Sequence, residues 1–347
     1  MARSPENEMV AKIGKVAPYL GKDFKYLKVL KLVEESGATK VECLCVCGDS
    51  KVTLLSSLKS GNTTSCGCNG ILTKGDIYYT RGTKHPYCFL GYVNHFNESK
   101  RCFSRAAKVI FLETGNEETF IPSNVKEGSI VDKLQPIVSG VGFLGKGLYN
   151  SKSKVRGVTI YSVWGSMINR CYNKADWRYH VYGGRNVSVD KEWLNFQNFA
   201  EWYFTERSKL PENVEYQIDK DLKDSFVYSS STCLLIPKSL NITLQMSRPN
   251  GNPLLSTGVR FVKGTGKYVA QVTKGSSESE DTDIRGTGKH RDTLEEAKED
   301  YVRLKRIEID KVAENLFING LISEEVKHLV NTLDIKSKIE NYKGETL

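Results

Sequence analysis

The sequence lacks a long hydrophobic run and a secretory signal. No stretch of about 18 apolar residues is present, so no membrane-spanning helix is predicted. The first eight residues are mostly polar and lack the apolar stretch of a signal peptide. We therefore expect a cytoplasmic protein without a membrane partner.

The length of the chain indicates more than one domain. Its 347 residues predict two to four domains, and a composition with 39% hydrophobic residues can form ordinary globular cores. Composition and pattern separate four segments, at residues 1–70, 71–140, 141–252 and 253–347. Their mixture of helical and strand patterns predicts a multi-domain α+β protein.

Positive charge is concentrated in one part of the chain. The formal net charge is +9, and residues 141–185 contain eight Lys or Arg against a single acidic residue, Asp176. Such clustering fits a polyanionic partner such as double-stranded DNA. A solubilising surface is the alternative interpretation.

Residues 71–140 have the pattern of a small β-domain. Aromatic and β-branched runs alternate there with Gly, Asn and Pro. The runs are Gly75 to Thr80, Tyr87 to Asn94, Lys108 to Leu112 and Thr119 to Ile121. They predict short strands joined by turns, and hence a small β-barrel or sandwich.

Helical periodicity appears in the second half of the chain. One apolar face is formed by Trp164, Met167, Ile168 and Cys171, at positions i, i+3, i+4 and i+7. A second helix is predicted to begin at Asp190, a favourable N-cap. A third is predicted from Thr293 to Leu316, because Thr293 and Glu296 have the spacing of a capping box.

Five of the nine cysteines lie within residues 43–68, which indicates a metal site in a cytoplasmic protein. Eighteen residues separate two close pairs, and a glycine beside each pair allows a tight turn. The predicted ligands of a structural Zn²⁺ ion are Cys45, Cys47, Cys66 and Cys68. Cys43 is an alternative ligand, and buried free thiols are the alternative interpretation.

This segment also resembles a known module. The stretch Leu58-Lys59-Ser60-Gly61-Asn62-Thr63-Thr64-Ser65-Cys66-Gly67-Cys68 follows Gly21-Lys22-Asp23-Phe24 and the cysteines at 43, 45 and 47. Together they resemble a small zinc domain found at the N-termini of phage nuclease-like proteins.

Residues 161–202 contain further motifs. They include Trp164-Gly165-Ser166-Met167-Ile168-Asn169-Arg170, Tyr182-Gly183-Gly184-Arg185-Asn186 and Trp193-Leu194-Asn195-Phe196. This series resembles the HNH-type (ββα-metal) endonuclease-like proteins of tailed phages. The tryptophans are most simply core residues, whereas Arg170 and Arg185 are candidates for phosphate contact or for surface ion pairs. The nearby Lys152, Lys154 and Arg156 are further candidates for contacts with the DNA backbone.

The resemblance implies a metal-binding Asp, an adjacent His base and two downstream Asn residues. Here the corresponding positions hold Asp219, Lys220, Thr232 and Asn241. A protonated lysine is a poor base and repels a divalent ion, although Asp221 is a further possible ligand of Mg²⁺. His180 is more simply an exposed loop histidine. The sequence therefore supports an HNH-like fold and DNA contacts better than it supports cleavage.

The last segment resembles the Apetala-type DNA-binding domain. The residues that carry the resemblance are Gly258-Val259-Arg260-Phe261, Lys267-Tyr268-Val269-Ala270-Gln271-Val272 and Asp292-Thr293-Leu294-Glu295-Glu296-Ala297. The family implies a three-stranded sheet in the major groove, braced by a helix. The predicted DNA contacts are Arg260, Lys263, Lys267, Gln271 and Lys274. An ordinary polar strand face is the alternative, and the third strand is obscured within an enlarged loop at residues 275–288.

These features favour a sequence-directed DNA-binding protein, specifically a phage homing-type endonuclease that hydrolyses phosphodiesters with Mg²⁺. A bacterial host cell is then the expected location. The alternatives are a regulator or host-takeover factor derived from a nuclease that has lost cleavage, and a protein-binding adaptor.

Overall fold

A computed structural model describes residues 5–33, 38–68, 72–97, 102–245, 258–272 and 286–341. The chain divides into two compact units, residues 1–135 and 136–347. Both contain helices and small sheets, an architecture compatible with the predicted α+β class. Within the described ranges, no helix is long and apolar enough to cross a membrane.

Unit 1, residues 1–135, begins with a helix and a four-stranded antiparallel sheet. Its first elements are α1 (Pro5–Val16), β1 (Asp23–Phe24), β2 (Leu27–Val33), β3 (Lys40–Cys45), β4 (Ser50–Leu54) and α2 (Leu55–Lys59). The strands lie side by side in chain order. Because side chains alternate along a strand, β3 buries Val41, Cys43 and Cys45 on one face.

A second antiparallel sheet of unit 1 contains the four predicted strands of residues 71–140. They are β5 (Ile77–Tyr79), β6 (Pro86–Asn97), β7 (Cys102–Phe111) and β8 (Glu117–Phe120), followed by α3 (Pro122–Glu127). The strands again follow chain order. β6 and β7 extend beyond the predicted runs, and a register shift between Phe89 and Gly91 bends β6.

The two sheets of unit 1 share one core. It contains Val29 and Val41 from the first sheet together with Phe89 and Val109 from the second. The predicted boundary between residues 70 and 71 therefore lies inside a compact unit, and the predicted barrel or sandwich of residues 71–140 is a single open sheet. A four-stranded sheet with one apolar face needs a second layer, which the first 70 residues provide.

Unit 2, residues 136–347, opens with short strands and two packed helices. Its first elements are β9 (Lys154–Val155), β10 (Val158–Thr159), α4 (Ile160–Tyr172), β11 (Ser188–Val189) and α5 (Phe196–Ser208). The predicted apolar face of α4 is confirmed, because all four of its residues are buried. Trp164 and Phe196 join the two helices at a ring-centroid distance of 5.4 Å.

The predicted helix start at Asp190 is only partly correct. The Asp190 carboxylate accepts a hydrogen bond from the Glu192 amide, but it caps a 3-10 turn over Lys191–Leu194. Asn195 then caps α5 by accepting from the Gln197 amide. Two cap residues so close together divide the segment, because each cap residue has non-helical backbone angles.

A strand-strand-helix arrangement follows. Its elements are β12 (Tyr216–Asp219), β13 (Val227–Tyr228), β14 (Leu234–Pro237) and α6 (Lys238–Leu244). β12 pairs antiparallel with β14, while β13 pairs in parallel with β11. α6 begins directly after β14 and contacts both strands of the β12–β14 pair.

The C-terminal segment forms a three-stranded antiparallel sheet and three helices. The strands are β15 (Val259–Val262), β16 (Lys267–Val272) and β17 (Gly286–Thr287), and the helices are α7 (Leu294–Ile318), α8 (Glu324–Asn331) and α9 (Ile335–Asn341). The predicted capping box of α7 is confirmed. Gly258 has a φ of +75°, and a Cβ there would lie 2.0 Å from the Tyr301 ring, so the chain enters β15 against α7.

The helices after residue 294 also pack on the preceding segment. One core joins Leu222, Ile236 and Leu240 with Ile309 and Ala313 of α7. The predicted boundary between residues 252 and 253 thus falls within unit 2, because α6 and α7 bury their apolar faces against each other.

Candidate metal centre

Four cysteine side chains of unit 1 converge in space. The Sγ atoms of Cys45 and Cys68 are 3.4 Å apart, and those of Cys47 and Cys66 are 3.3 Å apart. All four sulfurs lie within 4.8 Å of one another. A tetrahedron with Zn–S bonds of about 2.3 Å has edges of roughly 3.8 Å. The cluster can therefore hold a metal ion such as zinc.

The backbone before and after the cluster explains this convergence. Cys45 ends β3, and the turn that follows is closed by a hydrogen bond of 2.8 Å from the Gly48 amide to the Cys45 carbonyl. Gly48 has a φ of +94°, a conformation that favours glycine, and a Cβ there would lie 2.5 Å from Lys74. Cys43, the alternative ligand, is buried on β3 and does not belong to the cluster.

Arg105 from β7 contacts the cluster from outside. Its guanidinium donates to Cys66 Sγ at 3.3 Å and to Cys47 Sγ at 3.7 Å, and it pairs with Asp49. Its guanidinium carbon lies 3.9 Å from the centroid of the Tyr92 ring. No sequence pattern singles out this arginine, because it is separated from Cys66 by 39 residues and lies in the other sheet.

These contacts change the acidity of one thiol. Burial raises the pKa of Cys66, but hydrogen bonds from Arg105 and from the neighbouring thiols outweigh burial and lower it to about 7. A thiolate is the form that binds metal, so the arginine favours the ligand form of Cys66. Four cysteine ligands leave no open coordination position, and a bound ion would have a structural role.

The predicted nuclease residues are distributed along the strand-strand-helix arrangement of unit 2. Asp219 ends β12 and pairs with Leu234 in the strand register. Lys220 follows it, Thr232 lies in the turn before β14, and Asn241 is on α6. The fold thus brings the four segments together, but the side chains of these residues already make hydrogen bonds within the protein.

Asp219 and Lys220 are both buried. Asp219 is 7% exposed, and its carboxylate accepts a hydrogen bond of 2.9 Å from the Leu222 amide. Burial, reinforced by the charge of Asp221, raises the pKa of Asp219 to about 6. The Lys220 ammonium donates to Asp221 at 2.5 Å. A buried lysine therefore follows the buried carboxylate of Asp219 directly in sequence and interacts with it electrostatically.

Thr232 and Asn241 are engaged in local hydrogen bonds. The Thr232 hydroxyl donates to the Val227 carbonyl at 2.6 Å and so closes the turn. The Asn241 side chain donates to the Gln217 side chain at 2.7 Å. Within the described residues, the four cysteines are the one group of three or more His, Cys, Asp or Glu side chains that can hold a metal.

The predicted contact residues of 141–185 have different surroundings. Lys152 and Lys154 are exposed. Arg156 pairs with Glu212 and donates to the Ser208 carbonyl at 3.0 Å. Arg185 is exposed at the end of a 3-10 turn, as is His180 within the preceding one.

Arg170 has an unexpected environment. Its guanidinium lies 4.8 Å from the ring centroid of Tyr182 and 4.8 Å from that of Tyr228. The side chain is half-buried. This stacking between two rings replaces the exposed ion pair that was the alternative to a phosphate contact.

The C-terminal sheet presents most of its predicted residues on one side. Register places Arg260 opposite Val269, and Val262 opposite Lys267. These positions alternate with Val259 and Ala270, which pack in the α7 core. Gln271 shares the parity of Lys267, Lys263 is exposed in the turn between strands, and Lys274 lies outside the described residues. Lys267 also pairs with Asp292 at 3.0 Å.

Comparisons of the chain with protein-family models, with curated proteins and with solved structures find no match.

Proposed function

We propose that this protein binds double-stranded DNA in a sequence-directed manner and derives from an HNH-type nuclease of phage homing systems. The observation that supports it most is the C-terminal sheet of unit 2. There, Arg260, Lys267 and Gln271 occupy the side of the sheet away from α7. Arg and Gln can contact guanine and adenine edges, and Lys can neutralise phosphates.

The architecture of the sheet supports the proposal. Three strands with a helix behind them present a ribbon, and the major groove is wide enough to admit a β-ribbon. Pairing of Lys267 with Asp292 does not oppose the proposal, because Asp292 is 79% exposed and a surface pair of this kind is weak. A phosphate can replace the carboxylate.

The basic segment would add contacts that do not depend on sequence. Lys152 and Lys154 are exposed, so they can approach a DNA backbone without a change in the fold. In this proposal, unit 1 is a zinc-stabilised module, and the C-terminal sheet supplies site preference. This division resembles that of phage homing endonucleases.

For the centre at Asp219, we favour a nuclease-derived site that has lost cleavage over an active endonuclease. The strand-strand-helix order and Asp219 at the end of β12 support descent from a nuclease. Against Mg²⁺ chemistry, the Lys220 ammonium lies where a base should be, and the Thr232 hydroxyl closes a turn. Both features deprive a cation of ligands.

Binding to random and selected duplexes at several salt concentrations tests the proposal. Arg260→Met with Lys267→Met should reduce the preference for the selected site. Lys152→Met with Lys154→Met should weaken binding to all duplexes and reduce the salt slope by roughly one for each phosphate that is no longer neutralised. Lys311→Met with Lys336→Met, which removes two exposed positive charges from α7 and α9, is the control of equal charge for both double variants.

Two results would contradict the proposal. DNA binding that does not respond to salt, or is absent, would favour the protein-binding adaptor. Mg²⁺-dependent cleavage of duplex DNA that is abolished in Asp219→Ala would instead favour the active endonuclease.

A further inference from the structure

Arg170 has a buried donor without a hydrogen-bond partner. The rings of Tyr182 and Tyr228 lie near its guanidinium, with each centroid 4.8 Å from the guanidinium carbon. Its Nε atom is buried and finds no acceptor in the part of the chain that the structure describes. Ring faces attract the cation, but they do not accept hydrogen bonds in the guanidinium plane. An unsatisfied buried donor is costly, so an in-plane acceptor would stabilise this arrangement.

Lys220 brings a second cation to the same ring. Its ammonium lies 5.6 Å from the centroid of Tyr228, and the side chain is only 6% exposed. Its partner Asp221 has a side chain that is 64% exposed. Two cations beside one aromatic ring repel each other, and water weakens the ion pair between Lys220 and the exposed Asp221.

The other carboxylates near these cations are already engaged. Asp176 accepts two hydrogen bonds from Arg178, at 2.8 and 3.0 Å. Asp219 is buried and accepts a hydrogen bond from the Leu222 amide. Each of these carboxylates therefore already accepts a hydrogen bond from a donor other than Arg170 or Lys220.

Four separate segments build this cationic site. Arg170 comes from α4, Tyr182 from the loop before β11, Lys220 from the end of β12 and Tyr228 from β13. Arg170 and Tyr182 are half-buried, so the site reaches the surface on their side. A binding site made by residues so distant in sequence depends on the fold of unit 2.

We propose that Arg170 and Lys220, held beside Tyr228, bind a phosphate group. A planar guanidinium can donate two parallel hydrogen bonds to an oxyanion, and the ammonium supplies another. The proposal rests on the proposed function in one respect, because in a DNA-binding protein the bound phosphate would belong to the DNA backbone. Free phosphate has the same chemistry, and the two sources can be separated experimentally.

The experiment uses the full-length, zinc-loaded protein and inorganic phosphate as the probe. All four tryptophans of the sequence lie in unit 2, so their emission reports its thermal unfolding. Sodium phosphate should raise the midpoint saturably, beyond the effect of sodium chloride at equal ionic strength. Arg170→Met and Lys220→Met should each weaken the apparent phosphate affinity about tenfold or more.

Two further variants keep the test informative. Lys311→Met removes one positive charge from an exposed position on α7 and should leave the phosphate response unchanged. Lys220→Arg retains the cation and should retain the response even if Lys220→Met fails to fold. Equal midpoints in phosphate and chloride, or a native response in folded Arg170→Met, would overturn the proposal.

Duplex DNA binding measured on the same variants separates this proposal from the proposed function. Weaker binding of both phosphate and DNA in Arg170→Met supports both proposals. A phosphate response in a protein that does not bind DNA supports the site alone and assigns it to a free phosphate. DNA binding with no specific phosphate response overturns the site and leaves the proposed function standing.

Discussion

The cysteine cluster of unit 1 and the strand-strand-helix centre of unit 2 differ in the number of metal ligands that they provide. In unit 1, four thiols lie within 4.8 Å of one another. In unit 2, one buried carboxylate lies next to a buried ammonium, and the remaining two residues form local hydrogen bonds. The first has every ligand that a tetrahedral ion requires, whereas the second has a nuclease-like order of elements without the ligands.

The difference lies in the charges that surround the two sites. A single cation in a buried position reverses the electrostatic preference of a site, because it repels a divalent metal and attracts an anion. In unit 1, by contrast, Arg105 stabilises thiolates that a metal also requires. The same kind of charge thus favours metal binding in one unit and opposes it in the other.

Loss of the zinc ligands should have the largest effect. Cys66→Ser, or chelation of the native protein, is expected to unfold unit 1, because structural zinc sites supply about 10 kcal/mol or more of apparent binding free energy. Metal analysis should find one zinc per native chain, and circular dichroism should show loss of strand signal. Tryptophan emission reports unit 2 in the same sample.

Cys88→Ser is the matched control for this prediction. Cys88 is half-buried on β6, outside the metal-ligand cluster. It should retain zinc and the fold of unit 1. A metal-free native protein with an intact unit 1 would show that the cluster is a group of core thiols.

The second prediction concerns the buried carboxylate of unit 2. Asp219 has a pKa of about 6 in the folded protein and an ordinary value near 3.8. Because the folded pKa is raised, its contribution to stability is fully present below pH 3.8 and is lost as the pH rises through about 6. Asp219→Asn should therefore stabilise the protein at pH 7 by about 3 kcal/mol at most and change little at pH 3.5.

Urea unfolding of unit 2 at the two pH values measures this difference. Asparagine can still accept the hydrogen bond from the Leu222 amide, so only the buried charge is removed. Glu206→Gln, at a partly exposed position on α5, should show no comparable gain. Destabilisation of Asp219→Asn at pH 7 would mean that the ionised carboxylate has a favourable partner, such as a metal.

Local features of both regions could be predicted from the sequence, and their surroundings could not. The buried face of α4 and the capping box of α7 depend on residues a few positions apart, and the zinc ligands form two pairs, each with members two positions apart. The contact of Arg105 with Cys66 and the stacking of Arg170 on Tyr228 join residues 39 and 58 positions apart. Only packing of whole sheets and helices brings such pairs together.

The boundaries predicted after residues 70 and 252 also depend on packing between distant segments. Composition changes near residues 70 and 252, yet one core crosses each of these positions. Apolar periodicity shows that a face is buried without showing which partner covers it. The helix start at Asp190 was ambiguous because Asn195 is an equally good cap residue.

Arg105 provides the third and smaller prediction. Arg105→Gln should weaken zinc retention about 10- to 100-fold, as expected for a residue that orients ligands from outside the metal shell. Competition with a chromophoric chelator measures the affinity, and the charge-transfer band of the cobalt-substituted protein reports the thiolate environment. Arg105→Lys should restore part of the affinity, because it retains a cationic donor.

Arg81→Gln is the control, because Arg81 is exposed in unit 1 and the substitution removes the same charge. Its zinc affinity should equal that of the native protein. Equal affinities for Arg105→Gln and the native protein would show that the cluster alone determines metal binding.

The smallest expected effect is that of Mg²⁺ on unit 2. A ligand present at ten times its dissociation constant stabilises a folded protein by about 1.4 kcal/mol. The native protein should gain less than this from Mg²⁺ relative to sodium at equal ionic strength, because the buried Lys220 ammonium acts electrostatically on Asp219 and pairs with Asp221. Lys220→His should increase the gain, since a neutral imidazole removes the repulsion, and Thr232→Asn in the same chain should add to it by completing the nuclease pattern. Mg²⁺ could instead stabilise the native protein as strongly as it stabilises the double variant. Both units would then hold metals, and the contrast between them would be false.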